Sequence, residues 1–144
     1  MIEVTSKVIS PEKIIAKTKS SGSGCVATYV GLIRESSHGK PVLSVEYRDP
    51  KGNAESLLQK IANEARQRWQ VENLAISHRI GRLKVGEINL VVAVASAHRR
   101  EAFAACRFVI DLFKQRLPTK KTEIYIGTGN EKKSWENELR LTGQ

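Results

Sequence analysis

Cysteine and aromatic residues are scarce in this chain, and acidic residues are outnumbered by basic ones. Among 144 residues there are 2 cysteines, Cys25 and Cys106, too few and too far apart for a disulfide framework or a zinc knuckle. Both lie in apolar settings that suit buried free thiols, so a reducing compartment is expected. No apolar run approaches the roughly 18 residues needed to cross a bilayer. The segment MIEVTSKVIS lacks the charged-then-apolar pattern of a signal peptide, and a soluble, cytoplasmic protein is expected. Aromatic residues make up 6% of the chain, and none clusters with a basic strand face, which leaves little on which nucleic-acid bases could stack. Absent too are G-x-S-x-G, G-x-x-x-x-G-K-[ST] and H-E-x-x-H. His38, His78 and His98 are not spaced as ligands on one element. Nothing here asks for a metal or a cofactor.

What is present in excess is positive charge. Lys and Arg number 24 against 15 Asp and Glu, a formal charge of +9, which favours an anionic partner such as a phosphate-bearing metabolite, a nucleic acid or an acidic protein. The cations are scattered, with no run that reads as a basic tail. At this length one domain, 1–144, is expected.

Strands are expected over residues 3–9, 25–33, 42–48, 72–79, 88–97 and 122–126, from β-branched content and alternation. The run 88–97 is so uniformly apolar that it belongs at the centre of a sheet. Pro11 at a first helical position after Ser10 starts one helix. Leu58, Ile61, Ala65 and Trp69 recur at helical spacing in a second, with Asn53 as its N-cap. Residues 99–117 form a third, whose polar stripe is narrow, so that a further covering surface is expected, a second copy of the chain. Residues 34–40 read as a mobile loop and Gly31 as a bulge or a point of close approach. Helices alternating with paired strands point to α+β, a mostly antiparallel sheet with helices packed against it.

The third helix begins at His98-Arg99-Arg100, directly after the apolar strand. Cations are unfavourable at the positive end of a helix dipole unless something negative compensates them, so this is a place to hold an anion. His98 could equally cap the helix, with Glu101 completing a capping box. Arg34 closes an apolar strand, where a guanidinium can bind a phosphate or carboxylate through two hydrogen bonds, or simply stand at the surface. Lys114 could neutralise the negative helix end beside Asp111, and Lys121 could be a solvated charge. Either becomes a general acid or base if desolvation brings its pKa toward neutrality.

Taken in order, GLIR at 31–34, VEY at 45–47, HRIG at 78–81, VGE at 85–87, S-x-H-R at 96–99, DLFK at 111–114 and K-x-E at 121–123 resemble the catalytic large subunit of molybdopterin synthase. The resemblance implies an α/β-hammerhead fold and a pocket lined by Arg34, His98, Arg99, Lys114, Lys121, Thr122 and Glu123. Lys114 and Lys121 would be catalytic; Arg34, His98 and Arg99 would bind phosphate and pterin. The implied reaction converts cyclic pyranopterin monophosphate into molybdopterin, with two sulfurs arriving as a thiocarboxylate on the carboxy-terminal Gly-Gly tail of a small ubiquitin-like partner subunit. Neither cysteine need be a nucleophile. The implied assembly is a homodimer within a heterotetramer. The alternative is a non-catalytic anion- or RNA-binding relative that keeps the basic pocket.

The chain departs from the family pattern at Thr119-Lys120, where an aromatic pair is usual, and in a longer segment between Glu123 and Trp135; Arg140 stands near a further phosphate-binding position. One geometric demand follows from the helix itself. His98 and Lys114 are sixteen positions apart, about 24 Å on an unbroken helix at 1.5 Å per residue, so either the helix stops or bends, or the pocket draws the two from different protomers. The second option agrees with the helix's excess apolar surface.

Overall fold

A computed structural model describes residues 1–127; Trp135 and Arg140 lie outside the described residues. The elements run β1 (Ile2–Thr5), α1 (Pro11–Thr18), β2 (Cys25–Leu32), β3 (Ser36–Ser37), β4 (Lys40–Arg48), α2 (Ala54–Arg68), β5 (Asn73–Arg79), β6 (Gly81–Lys84), β7 (Ile88–Ser96), α3 (Arg99–Gln115) and β8 (Lys120–Tyr125). The class is α+β as expected, with the strands divided between two sheets rather than gathered in one. The first has the order β1-β5-β7-β2, and in the second β4 is flanked by β6 and β8 while β3 pairs with its first residues. Among the described residues every pairing is antiparallel except β1 with β5.

β7 is central, and it is apolar throughout because both its faces are covered. Leu90, Val92 and Val94 pack with Leu58, Ile61 and Ala65 of α2 and with Ala102, Ala105, Val109 and Phe113 of α3. Val91 and Ala93, on the opposite face by the two-residue period of a strand, pack with Ile9 and Ile14 of α1 and its lead-in. The second sheet has its own core of Ile33, Val42, Val45, Tyr47, Leu83 and Tyr125.

Several expectations are corrected. The first strand ends at Thr5. The segment 34–40, expected to be a loop, contains β3 and turns through His38 (φ 53) and Gly39 (φ 72) into β4. Two central residues at positive φ make a primed two-residue hairpin turn, whose twist matches that of the strands it joins. Between the expected strands 72–79 and 88–97 lies a further one, β6, that pairs with β4. Asn53 occupies the N-cap position of α2 without a side-chain capping bond, and the Asp49 carboxylate instead accepts from the Ala54 N–H. Gly31 does lie at a break in register between β2 and β7. A Cβ there would meet Asn89 Oδ1 at 2.8 Å and Tyr29 Cε2 at 3.1 Å, so the missing side chain is what lets the Asn89 amide lie against β2.

Candidate functional site

Where the two sheets meet the end of α3, a cavity of about 390 Å³ opens. Each wall comes from a different element. Tyr29, Gly31 and Arg34 come from β2 and its exit, Tyr47 from β4, Asn89 from β7, Phe113 and Lys114 from α3, and Lys121 with Glu123 from β8. Arg34 is fixed in the backbone by its neighbours: the Ile33 N–H donates to the Glu87 carbonyl at 3.0 Å and the Glu35 carbonyl accepts from the Val42 N–H at 2.9 Å.

Four of the residues singled out by sequence, Arg34, Lys114, Lys121 and Glu123, therefore share one cavity. Thr122 does not belong with them. On β8 alternate side chains face opposite ways, so Lys121 and Glu123 reach the cavity while Thr122, buried, lies behind it with its hydroxyl unpaired. His98 and Arg99 are also elsewhere. They form, with Arg100, Gly24 and Cys25, a shallow exposed depression at the opposite end of α3. That helix is continuous from Arg99 to Gln115, so the stop or bend that would join the two groups within one protomer is absent. His98 occupies the N-cap position of α3, and its carbonyl accepts from the Ala102 N–H at 3.3 Å, but its side chain makes no capping bond. Asp111 pairs with Arg107, at 3.8 Å, rather than with Lys114.

Lys121 is the most enclosed of the cationic groups in the cavity. Its pKa is lowered, chiefly by burial; Glu123 opposes the shift, and Lys114 and Arg34 add to it. The expectation that Lys121 could be a solvated charge is thereby corrected. Glu123 is buried and accepts a hydrogen bond from the Tyr125 hydroxyl. The neutral part of the wall was not evident from sequence. Asn89 donates through Nδ2 to the Tyr47 hydroxyl at 2.9 Å, and burial pushes the Tyr47 phenol up to about 12, so it stays protonated. Asn89 stands out, in retrospect, as the lone amide in an apolar strand. Thr119, at the departure from the family pattern, is buried with its hydroxyl 2.9 Å from His78 Nε2. Cys25 is half-buried rather than buried, and Cys106 is buried with its thiol raised to about 11; neither lines the cavity. Among the described residues, three cations against one carboxylate in a partly enclosed space suit a phosphate or carboxylate ligand.

The MoaE protein family matches residues 4–116. The chain belongs to that family. The molybdopterin synthase catalytic subunit of Nostoc sp. is 41% identical over 121 residues, covering 83% of this chain and 73% of its own. Molybdopterin synthase from Staphylococcus aureus superposes with a TM-score of 0.83 at 30% identity, over 92% of this chain and 93% of that one. A more distant chain, 18% identical, shares the fold with a TM-score of 0.66 over 90% of this chain and 79% of its own; its structure is a protein–protein complex of subunits 1 and 2 of the molybdopterin-converting factor from Helicobacter pylori 26695. The likeness to the molybdopterin synthase large subunit read from the motifs is thus a family membership. No described helix is long and apolar enough to cross a membrane.

Proposed function

We propose that this MoaE-family chain acts as a single-domain catalytic subunit of molybdopterin synthase, a sulfurtransferase of molybdenum cofactor biosynthesis. Its substrate is cyclic pyranopterin monophosphate, and its sulfur donor is the thiocarboxylated Gly-Gly terminus of a small ubiquitin-like subunit. The observation that carries this reading is the convergence of Arg34, Lys114, Lys121 and Glu123 on one cavity. The chemistry asks little of a protein nucleophile, because the sulfur arrives already activated as an acyl thiolate. What it asks for is charge complementarity and positioning. Arg34 offers a planar fork for a phosphate oxygen pair, and Lys114 offers a mobile ammonium. Lys121, partly desolvated, serves as the proton-transferring group or as the anchor of the incoming tail.

His98 and Arg99 complete the pocket from a second protomer. Their separation from Lys114, about 24 Å along a straight helix, is greater than a pterin can span. The partly exposed face of α3, where Phe103 is 66% exposed, supplies apolar surface for a homodimer that, with two small subunits, makes a heterotetramer. The complex of two subunits in the Helicobacter pylori structure of the same fold supports a small-subunit partner.

The test is reconstitution. The purified chain, incubated with cyclic pyranopterin monophosphate and a thiocarboxylated small subunit, should yield the dithiolene product. No product, together with salt-sensitive binding of generic RNA, would replace the enzyme with an anion-binding relative.

A further inference from the structure

Behind the cavity wall, His78 of β5 is fully buried. Its Nδ1 lies 2.8 Å from the Asn89 carbonyl oxygen and its Nε2 lies 2.9 Å from the Thr119 hydroxyl. Burial holds its pKa down to about 4, so the ring is neutral near pH 7 and carries one donor and one acceptor. A carbonyl can only accept. Nδ1 therefore bears the proton, and Nε2 accepts from Thr119. The ring also meets Tyr47 and Phe113 edge-on, with centroids 4.9 Å and 5.0 Å away.

Each of these neighbours is, or adjoins, a cavity residue. Tyr47, Asn89 and Phe113 line the cavity themselves; Phe113 immediately precedes Lys114, and Thr119 stands two residues before Lys121. One imidazole thus touches both sides of the turn that joins α3 to β8, the segment whose ends carry the two lysines. We propose that His78, in its Nδ1–H form, is a positioning residue that fixes the spacing between Lys114 and Lys121 through Phe113 and Thr119. The role rests on the sulfurtransferase reading above. It is more than packing because the hydrogen bond to Thr119 is directional. A hydrophobic residue at 119 could fill the volume, but it would leave Nε2 without a donor and β8 without its first side-chain tether.

The test compares Thr119→Val, nearly isosteric but without the hydroxyl, with Thr119→Ser, which restores it; Thr119→Ala replaces the valine variant if valine is not accommodated. Two readouts are taken on the full chain: sulfur transfer with the thiocarboxylated subunit, and the titration of Lys121 by NMR after reductive ¹³C-methylation, assigned with Lys121→Arg. Among the described residues, the charged groups acting on Lys121 are Glu123 on β8, Lys114 on α3 and Arg34 after β2. With the start of β8 loosened, Lys121 gains water and its midpoint rises toward 10.5. Thr119→Val is expected to slow kcat by about tenfold or more while KM moves by less than about twofold, and to raise that midpoint. Thr119→Ser should recover both. A valine variant with lowered thermal stability but unchanged kcat and Lys121 titration would overturn the proposal, as would a serine variant as impaired as valine. If the wild-type chain transfers no sulfur, the functional reading fails, and the titration alone still decides whether His78 and Thr119 place Lys121.

Discussion

Lys121 and Glu123 meet along one face of β8, Nζ 3.8 Å from Oε2, with the two side chains 18% and 5% exposed. At this degree of enclosure the carboxylate favours the charged amine, while burial, Lys114 and Arg34 disfavour it, and the net shift of Lys121 is downward. Glu123→Gln removes the influence among the described residues that raises the pKa. The Lys121 midpoint is then expected to fall further below 10.5, measured by the same lysine NMR titration. A rise would mean that Glu123 acts through something other than its charge.

Replacing either cavity lysine by alanine should cost activity without unfolding the chain. Lys114 is exposed, so Lys114→Ala should keep the thermal midpoint within a few degrees while kcat/KM drops by about a hundredfold or more, as when a charge-stabilising group is lost. Enzyme kinetics beside calorimetry separate the two effects. A variant of Lys114 with full activity would remove it from the site.

The placement of His98 and Lys114 at opposite ends of α3 makes a complementation experiment decisive. A His98→Ala chain and a Lys114→Ala chain, each inactive alone, are mixed, unfolded and refolded together. If each pocket draws His98 from one protomer and Lys114 from the other, half of the dimers are mixed and one pocket in each of these is intact, giving about a quarter of wild-type activity. Pockets formed within one protomer would recover nothing.

Acid stability carries the signature of His78. Its pKa is depressed from 6.5 to about 4 in the folded chain, so between those values the unfolded chain binds the extra proton and stability falls as pH falls. The contribution is fully present above pH 6.5 and gone below about 4, with an upper magnitude of about 3 kcal/mol. Urea midpoints measured from pH 7 to pH 4 should slope downward for the wild type. His78→Gln should start lower and run flatter over the same interval, and an unchanged slope would assign the acid sensitivity to other groups.

Gly24 sits against the turn that leads into α3. A Cβ at this position would lie 2.2 Å from the Ala97 carbonyl oxygen, a backbone atom that cannot swing aside as a side chain could. Gly24→Ala should therefore destabilise the chain by about 1–3 kcal/mol and disturb the placement of His98. Chemical denaturation measures the first effect. A substitution without cost would show that the turn yields.

The helices were legible in the sequence because their information is local. Ala102, Ala105, Cys106, Val109, Leu112 and Phe113 recur at helical spacing, and all are buried. The division into two sheets was not legible, since alternation tells which side of a strand is covered but not which strand lies beside it. β6, four residues long with only Leu83 buried, has almost no pattern of its own and exists because β4 offers it a partner. His98 and Arg99 stand at the other end of α3, whereas Arg34, Lys114 and Lys121, each marked by its motif, line one cavity. Their meeting with Tyr47 and Asn89 was hidden, because neutral residues inside apolar strands look like ordinary core. Thr122, between Lys121 and Glu123 in the K-x-E motif, is buried away from the cavity because the two-residue period of β8 turns it to the other face. His78 gave no local sign of its role, because its two hydrogen-bond partners come from β7 and from the turn before β8.

A helix with basic side chains at both extremities also acts as a screw. α3 runs 17 residues with about 100° between successive side chains, so inserting or deleting a single residue in its middle would swing Lys114 about a quarter turn or more relative to Arg99 while changing the helix length by only about 1.5 Å. Rotational phase, far more than length, is the quantity this segment has to preserve, and compensation would require a matching change of pitch elsewhere in the helix.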